Sequence, residues 1–140
     1  MTRYLLDTVA VSELRRDARR MHPAFALWQQ NVGDVWLSVI TLNEIRYGMR
    51  VVKRKDEPFA AILEKWYAQL IAQPQRFRIL DVGGPIAELA ADFRASHGTS
   101  VEDSLIAATA KVHNLTVATR NTTHFAACGV DIENPWEFSA

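Results

Sequence analysis

Apolar and polar positions change period several times along the chain, and each change marks an element. Tyr4-Leu5-Leu6 is a short apolar run that ends on an acid, Asp7, and reads as a strand. A helix-like segment follows from near Ser12, made unusually basic by Arg15, Arg16, Arg19 and Arg20. Pro23 suits the first turn of a second helix through Leu27 and Trp28 towards Asn31, and Gly33-Asp34 punctuates it. Residues 35–40 form a β-rich run. From Thr41 the period becomes helical: Leu42, Ile45 and Met49 lie on one stripe that Ile40 and Val52 extend. A charged loop, residues 53–57, leads to a helix opened by Pro58. Its apolar positions are Phe59, Ile62, Leu63, Trp66, Leu70 and Ile71, and Pro74 closes it.

Residues 77–82 are the third strand, ended by Gly83-Gly84, and Pro85 starts a helix that stops at His97-Gly98. Ser100 has the position of an N-cap for a helix through Leu105, Ile106 and Ala110, and Asn114 is its C-terminal stop. Residues 115–119 are a β-branched strand, and residues 130–132 a short last one before Asn134-Pro135-Trp136. Strands that alternate with helices imply an α/β fold, a central parallel β-sheet flanked by α-helices. No fixed-period repeat, low-complexity tract or linker interrupts the pattern. A single domain over residues 1–140 is expected.

Composition narrows the class without choosing a function. The 49% hydrophobic and 23% charged content is ordinary for a soluble domain. Formal net charge is zero, so bulk electrostatics neither demand nor exclude a nucleic-acid partner. One cysteine, Cys128, excludes a disulfide framework and a Cys-rich zinc site. The N-terminal stretch lacks the apolar core of a signal peptide, and no run approaches the ~20 apolar residues of a membrane span. A cytoplasmic chain with no membrane contact is expected.

The acids carry the candidate chemistry. Ligands of an open parallel sheet bind beyond the carboxyl ends of its strands. Asp7 directly follows the first strand, Glu44 is expected in the first turn of the helix after the second, and Asp103 in the first turn of the helix opened by Ser100. Asn121 lies just past residues 115–119. Clustered carboxylates repel one another by roughly 4 kcal/mol per pair at 4 Å and an effective dielectric near 20. A hard divalent cation removes that cost and suits phosphodiester hydrolysis. Blander roles compete: Asp7 as a helix cap, Glu44 as a complement to a helix dipole, and Asp103 as the last member of a capping box with Ser100.

Several segments resemble the PIN-domain ribonucleases of the VapC toxin type, particularly their FitB-like branch. They are Tyr4-Leu5-Leu6-Asp7-Thr8 with Ser12-Glu13-Leu14; Leu37-Ser38-Val39-Ile40-Thr41 leading to Glu44-Ile45 and Gly48; Asp103 with Ile106-Ala107-Ala108-Thr109-Ala110; residues 115–121; and Asn134-Pro135-Trp136. They occur in the family's order over nearly the whole chain. The resemblance implies a PIN domain and a Mg²⁺- or Mn²⁺-dependent endoribonuclease, the toxin of a toxin–antitoxin pair. It also implies a homodimer, a VapB-like antitoxin whose tail reaches the acidic site, and tRNA, rRNA or mRNA as substrate. Asp7 and Asp103 correspond to direct metal ligands and Glu44 to a third acid, bound directly or through water. Thr8 and Thr119 resemble hydroxyls that orient those ligands.

Three features depart from the family pattern. Val9 stands where an asparagine usually follows Asp-Thr; either it packs inward as a tolerated change or the site is loosened. Asn121 and His124 occupy the two places where a fourth acid is found, so a second metal is expected to bind weakly or only with substrate. Simple exposure is the preferred reading of His124, against a proton shuttle or a preference for Mn²⁺. Arg46, Arg50 and Arg54 recur every four residues and can meet RNA or an acidic antitoxin segment; a solvated helix face is as common an explanation. The competing class is a catalytically impaired PIN fold that binds RNA or antitoxin without cutting. A phosphoaspartate enzyme is disfavoured because Val9 replaces its second acid, whereas a DNA nuclease would need the same metal site.

Overall fold

Tyr4–Leu6 (β1) buries all three of its side chains, which alternate between the two faces of the sheet. The computed structural model describes residues 1–140. The helix after β1 starts immediately, not near Ser12. Asp7 is its N-cap, with Oδ1 accepting from the Ala10 N–H at 2.8 Å, and α1 spans Thr8–Glu13. The arginines that follow ride on turns rather than on a helix. Asp17 Oδ1 accepts from the N–H groups of both Arg19 and Arg20 at 3.1 Å, a local bond that offers the backbone an alternative to helix.

Next come α2 (Pro23–Asn31) and β2 (Val35–Ser38). The second strand stops short of residue 40 because the Ser38 hydroxyl caps the next helix, accepting from the Ile40 N–H at 3.0 Å. Accordingly α3 spans Val39–Lys53, and Glu44 falls in its second turn rather than its first. Asp56 caps α4 (Glu57–Ile71). Leu70 is buried there while Ile62 points outward, so the apolar stripe read from this helix is only partly core. The chain continues through β3 (Phe77–Leu80), α5 (Gly84–His97), α6 (Val101–His113) and β4 (Thr116–Ala118). Asn114 ends α6 in the left-handed conformation at φ 54°, the stop expected of it. A short helix absent from the pattern reading, α7 (Thr122–Ala126), precedes β5 (Ile132–Glu133) and a last helical turn, Pro135–Glu137.

The sheet order is β3-β2-β1-β4-β5, with every pairing parallel. From β1 the chain moves to β2 on one side and later returns to β4 on the other. The order therefore reverses between β1 and β4, and a crevice opens there at the carboxyl ends. One sheet face packs Tyr4, Leu6 and Leu37 against Phe25, Trp28 and Met49. The other packs Leu5 and Val117 against Ile106 and Phe125. No helix is long and apolar enough to cross a membrane.

Candidate active site

The crevice holds the acids named from the sequence. Asp7 is 4% exposed, and both its oxygens are engaged: Oδ1 by the Ala10 N–H, Oδ2 by the hydroxyl of Thr119. Thr119 is wholly buried just past β4, and its Oγ1 also accepts from the Asn121 N–H at 2.9 Å. One hydroxyl thus ties the end of β1 to the turn after β4. Glu44, half-buried on α3, accepts from the Thr8 hydroxyl, and Thr8 lies 3.2 Å from the hydroxyl of Thr41. Thr41, fully buried, does not stand out in the sequence; its only signal there is membership of the stretch leading to Glu44.

Asp103 lies in the first turn of α6, where the Ser100 hydroxyl accepts from its N–H at 3.1 Å. Only that half of a capping box forms. The Asp103 carboxylate turns instead to His124, with Oδ2 3.0 Å from Nδ1. His124 is exposed, as expected, but it is not idle: α7 carries it onto the acid. Asn121 is the N-cap residue of α7 and makes no side-chain capping bond. Val9, 41% exposed, points outward, contrary to the inward packing considered for it. The turn beside Asp7 is held by Ala10 and Thr119 instead.

Burial pushes the Asp7 carboxyl up to about 6, from 3.8. Its two hydrogen bonds pull the other way, while the charges of Asp103 and Glu44 add to the rise. These acids are thus near enough to feel one another. No three Asp, Glu, His or Cys side chains, however, are close enough to enclose a metal ion by themselves. Carboxylate oxygens are donors for a hard divalent cation, which would keep several waters here. A divalent charge would also relieve the repulsion from Asp103 and Glu44 that adds to the effect of burial on Asp7.

The arginines on α3 separate. Arg50 is committed to Glu64 on α4 at 2.7 Å, so it is not a free phosphate ligand. Arg46 and Arg54 are exposed on the same helix and its C-cap.

Comparison with known proteins agrees with this architecture. The PIN domain family model matches residues 4–129. The chain is 37% identical to toxin FitB of Neisseria gonorrhoeae over 140 residues, covering 94% of this chain and 97% of that one. It is 34% identical to VapC ribonuclease Y4jK of Sinorhizobium fredii, covering 95% and 97% respectively. Among solved structures, FitAcB from Neisseria gonorrhoeae superposes with a TM-score of 0.81 at 35% identity, over 96% of this chain and 99% of that one. With the five-stranded parallel sheet and its acidic switch point, these matches make the chain a member of the PIN-domain family.

Proposed function

We propose that the chain is a divalent-metal-dependent endoribonuclease, the toxin of a toxin–antitoxin pair, which works as a homodimer and is restrained by a small VapB-like antitoxin. The observation that carries this reading is a desolvated aspartate fixed at the switch point of a parallel sheet, with two further carboxylates close enough to raise its pKa. The kinship with proteins named toxin and ribonuclease supports it. So does the likeness to FitAB, solved bound to a DNA fragment, at 34% identity and a TM-score of 0.76 over 98% of each chain.

Asp7 and Asp103 would hold Mg²⁺ or Mn²⁺ directly, and Glu44 directly or through water. When bound, the ion supplies Lewis acidity toward a phosphoryl oxygen and toward water. The chain's own residues do the rest. Asp7 is mainly ionised above pH 6 and so available as a ligand at neutral pH. Thr119 and the Ala10 N–H fix its orientation, Thr8 fixes Glu44, and His124 holds Asp103 from the solvent side. Asn121 adds no charge where a fourth acid would stand, so one ion is expected to bind tightly and a second weakly.

RNA cleavage by the purified chain tests the reading. It should require Mn²⁺ or Mg²⁺, stop with EDTA, and disappear in Asp103→Ala. Cleavage that survives either treatment would overturn it. Tight antitoxin binding with no cleavage of any RNA in Mn²⁺ would favour the impaired-binder alternative, which the missing fourth carboxylate motivates.

Thr119→Val gives a finer test of the site. It keeps the side-chain shape, removes the hydroxyl that bonds Asp7 and strips the Asn121 N–H of its acceptor. Groups that orient a metal ligand typically contribute about 10–100-fold in affinity, and a loss of that size is expected in a calorimetric Mn²⁺ titration. Unchanged affinity would detach Thr119 from the site.

A further inference from the structure

A second cavity, of about 470 Å³, lies beside the acidic crevice and carries the opposite charge. Arg16, Arg19, Arg20 and Arg120 line it together with a single carboxylate, Glu13. That acid is already occupied: Oε1 lies 3.3 Å from Arg16 Nε, and Oε2 accepts from the His22 N–H at 2.9 Å. Arg19, Arg20 and Arg120 have no acidic partner within ion-pair distance. Asp17, the nearest acid in sequence, instead shapes the turn by accepting from the Arg19 and Arg20 N–H groups. In a chain of zero net charge, this concentration of guanidinium groups is a local feature, and only Arg16 of the four is paired with an acid.

The lining is also prearranged. The Arg120 guanidinium stacks on the Trp136 ring at 4.9 Å. Trp136 is buried against Phe25, ring centroids 4.9 Å apart, so the shelf beneath Arg120 belongs to the core. Two covalent links join the cavity to the crevice. Arg120 directly follows Thr119, the residue bonded to Asp7. Glu13 closes the six-residue helix α1 that Asp7 caps, a separation of about 9 Å at 1.5 Å per residue.

We propose that this cavity is a phosphate-binding subsite that tracks the RNA backbone as it leaves the acidic crevice. The proposal rests on the nuclease reading above and adds to it the surface that grips the substrate. Planar guanidinium groups take phosphate oxygens in pairs, and proteins that bind single strands use positive grooves of this kind. RNA fits better than an acidic protein segment: protein interfaces bury an apolar centre, whereas charged heads dominate this lining.

The test is fluorescence anisotropy with a short, mixed-sequence, fluorescein-labelled single-stranded RNA in EDTA, comparing the full chain with Arg19→Ala/Arg120→Ala. We expect Kd to rise at least about tenfold at low salt. The slope of log K against log salt should fall by about 1.4, because each single-strand phosphate that an arginine neutralises adds about 0.7. A charge-matched control on the helices of the opposite sheet face, Arg94→Ala/Lys111→Ala, should leave both unchanged. Circular dichroism melting should match wild type in both variants. Unchanged RNA affinity in the cavity variant, or an equal loss in the control, would overturn the subsite. So would a loss confined to a poly-glutamate peptide, which would mark the cavity as a protein-docking surface. Binding is read without a divalent ion, so the outcome is separate from whether the chain cuts RNA.

Discussion

Asp7→Asn should abolish RNA cleavage, by about a thousandfold or more, and yet make the metal-free protein more stable at pH 8. The first effect follows from removing a charged group fixed in a buried site, where such charges count for most. The second follows from linkage. Asp7 titrates near 6 in the folded chain against 3.8 for the ordinary carboxyl, so the folded state binds its proton more tightly than the unfolded state does. The group's favourable contribution is complete below about pH 4, and it is lost as pH rises through 6. At 1.36 kcal/mol per pKa unit, ionisation then costs the fold up to about 3 kcal/mol. Asparagine does not titrate and still caps α1 through the Ala10 N–H, although the Thr119 hydroxyl loses its acceptor. The net gain expected is about 1–3 kcal/mol at pH 8, vanishing near pH 4. Saturating Mn²⁺ should reverse the order, because only wild type binds tightly: a hundredfold excess over Kd contributes about 2.7 kcal/mol. Urea unfolding at pH 4, 6 and 8, in EDTA and in Mn²⁺, measures all of this. A wild type more stable than the variant in EDTA at pH 8 would sink the account of Asp7 as a strained carboxylate.

Trp28→Ala is expected to cost the fold about 3–5 kcal/mol, the range for removing a buried aromatic. The indole is 1% exposed. It sits edge-on to Tyr4 at 5.2 Å and tilted against Phe25 at 5.5 Å. Its Nε1 donates to Glu133 Oε2 at 2.7 Å, so truncation opens a cavity and also takes a donor from a half-buried carboxylate on β5. For a chain of this length the melting temperature should fall by roughly 10–20 °C. Calorimetry checks it; a fall of only a degree or two would show that the site relaxes freely. Through Phe25 the same cluster supports Trp136 under Arg120, so this variant should also bind RNA more weakly at temperatures where it is still folded.

The sequence reads well wherever a signal is local and repeated. β1 is a run of apolar side chains buried on both faces, and Ser100 and Asn114 bracket α6 as caps should. Misreadings cluster where one side chain redirects the backbone. Asp7 reads chiefly as a functional acid and only secondarily as a cap, yet its capping bond is what starts α1 at Thr8. Ser38 likewise starts α3 early and moves Glu44 into the second turn, where a dipole role weakens and the bond from Thr8 decides its placement. The five residues of α7 are too few to show a period. The pairing they create between His124 and Asp103 joins residues far apart in sequence, which no spacing rule reaches. The basic cavity is hidden for the same reason: Arg120 and the arginines before Pro23 meet only in the folded chain.

The pairing of β1 has a consequence for how the molecule is made. Tyr4 aligns with Thr116 and Leu6 with Ala118, so the central strand's partnership closes a loop of nearly the whole chain. A topology so dominated by distant pairings folds slowly, because loop entropy is spent before the pairing rewards it. The bond from Thr119 to Asp7 spans the same loop. During synthesis the residues through β3 and α5 emerge first and can bury part of one sheet face, but no crevice exists until β4 has left the ribosome. A nascent chain that has not yet released β4 therefore lacks the proposed cutting site: Asp7 gains its Thr119 anchor only once β4 has joined the sheet.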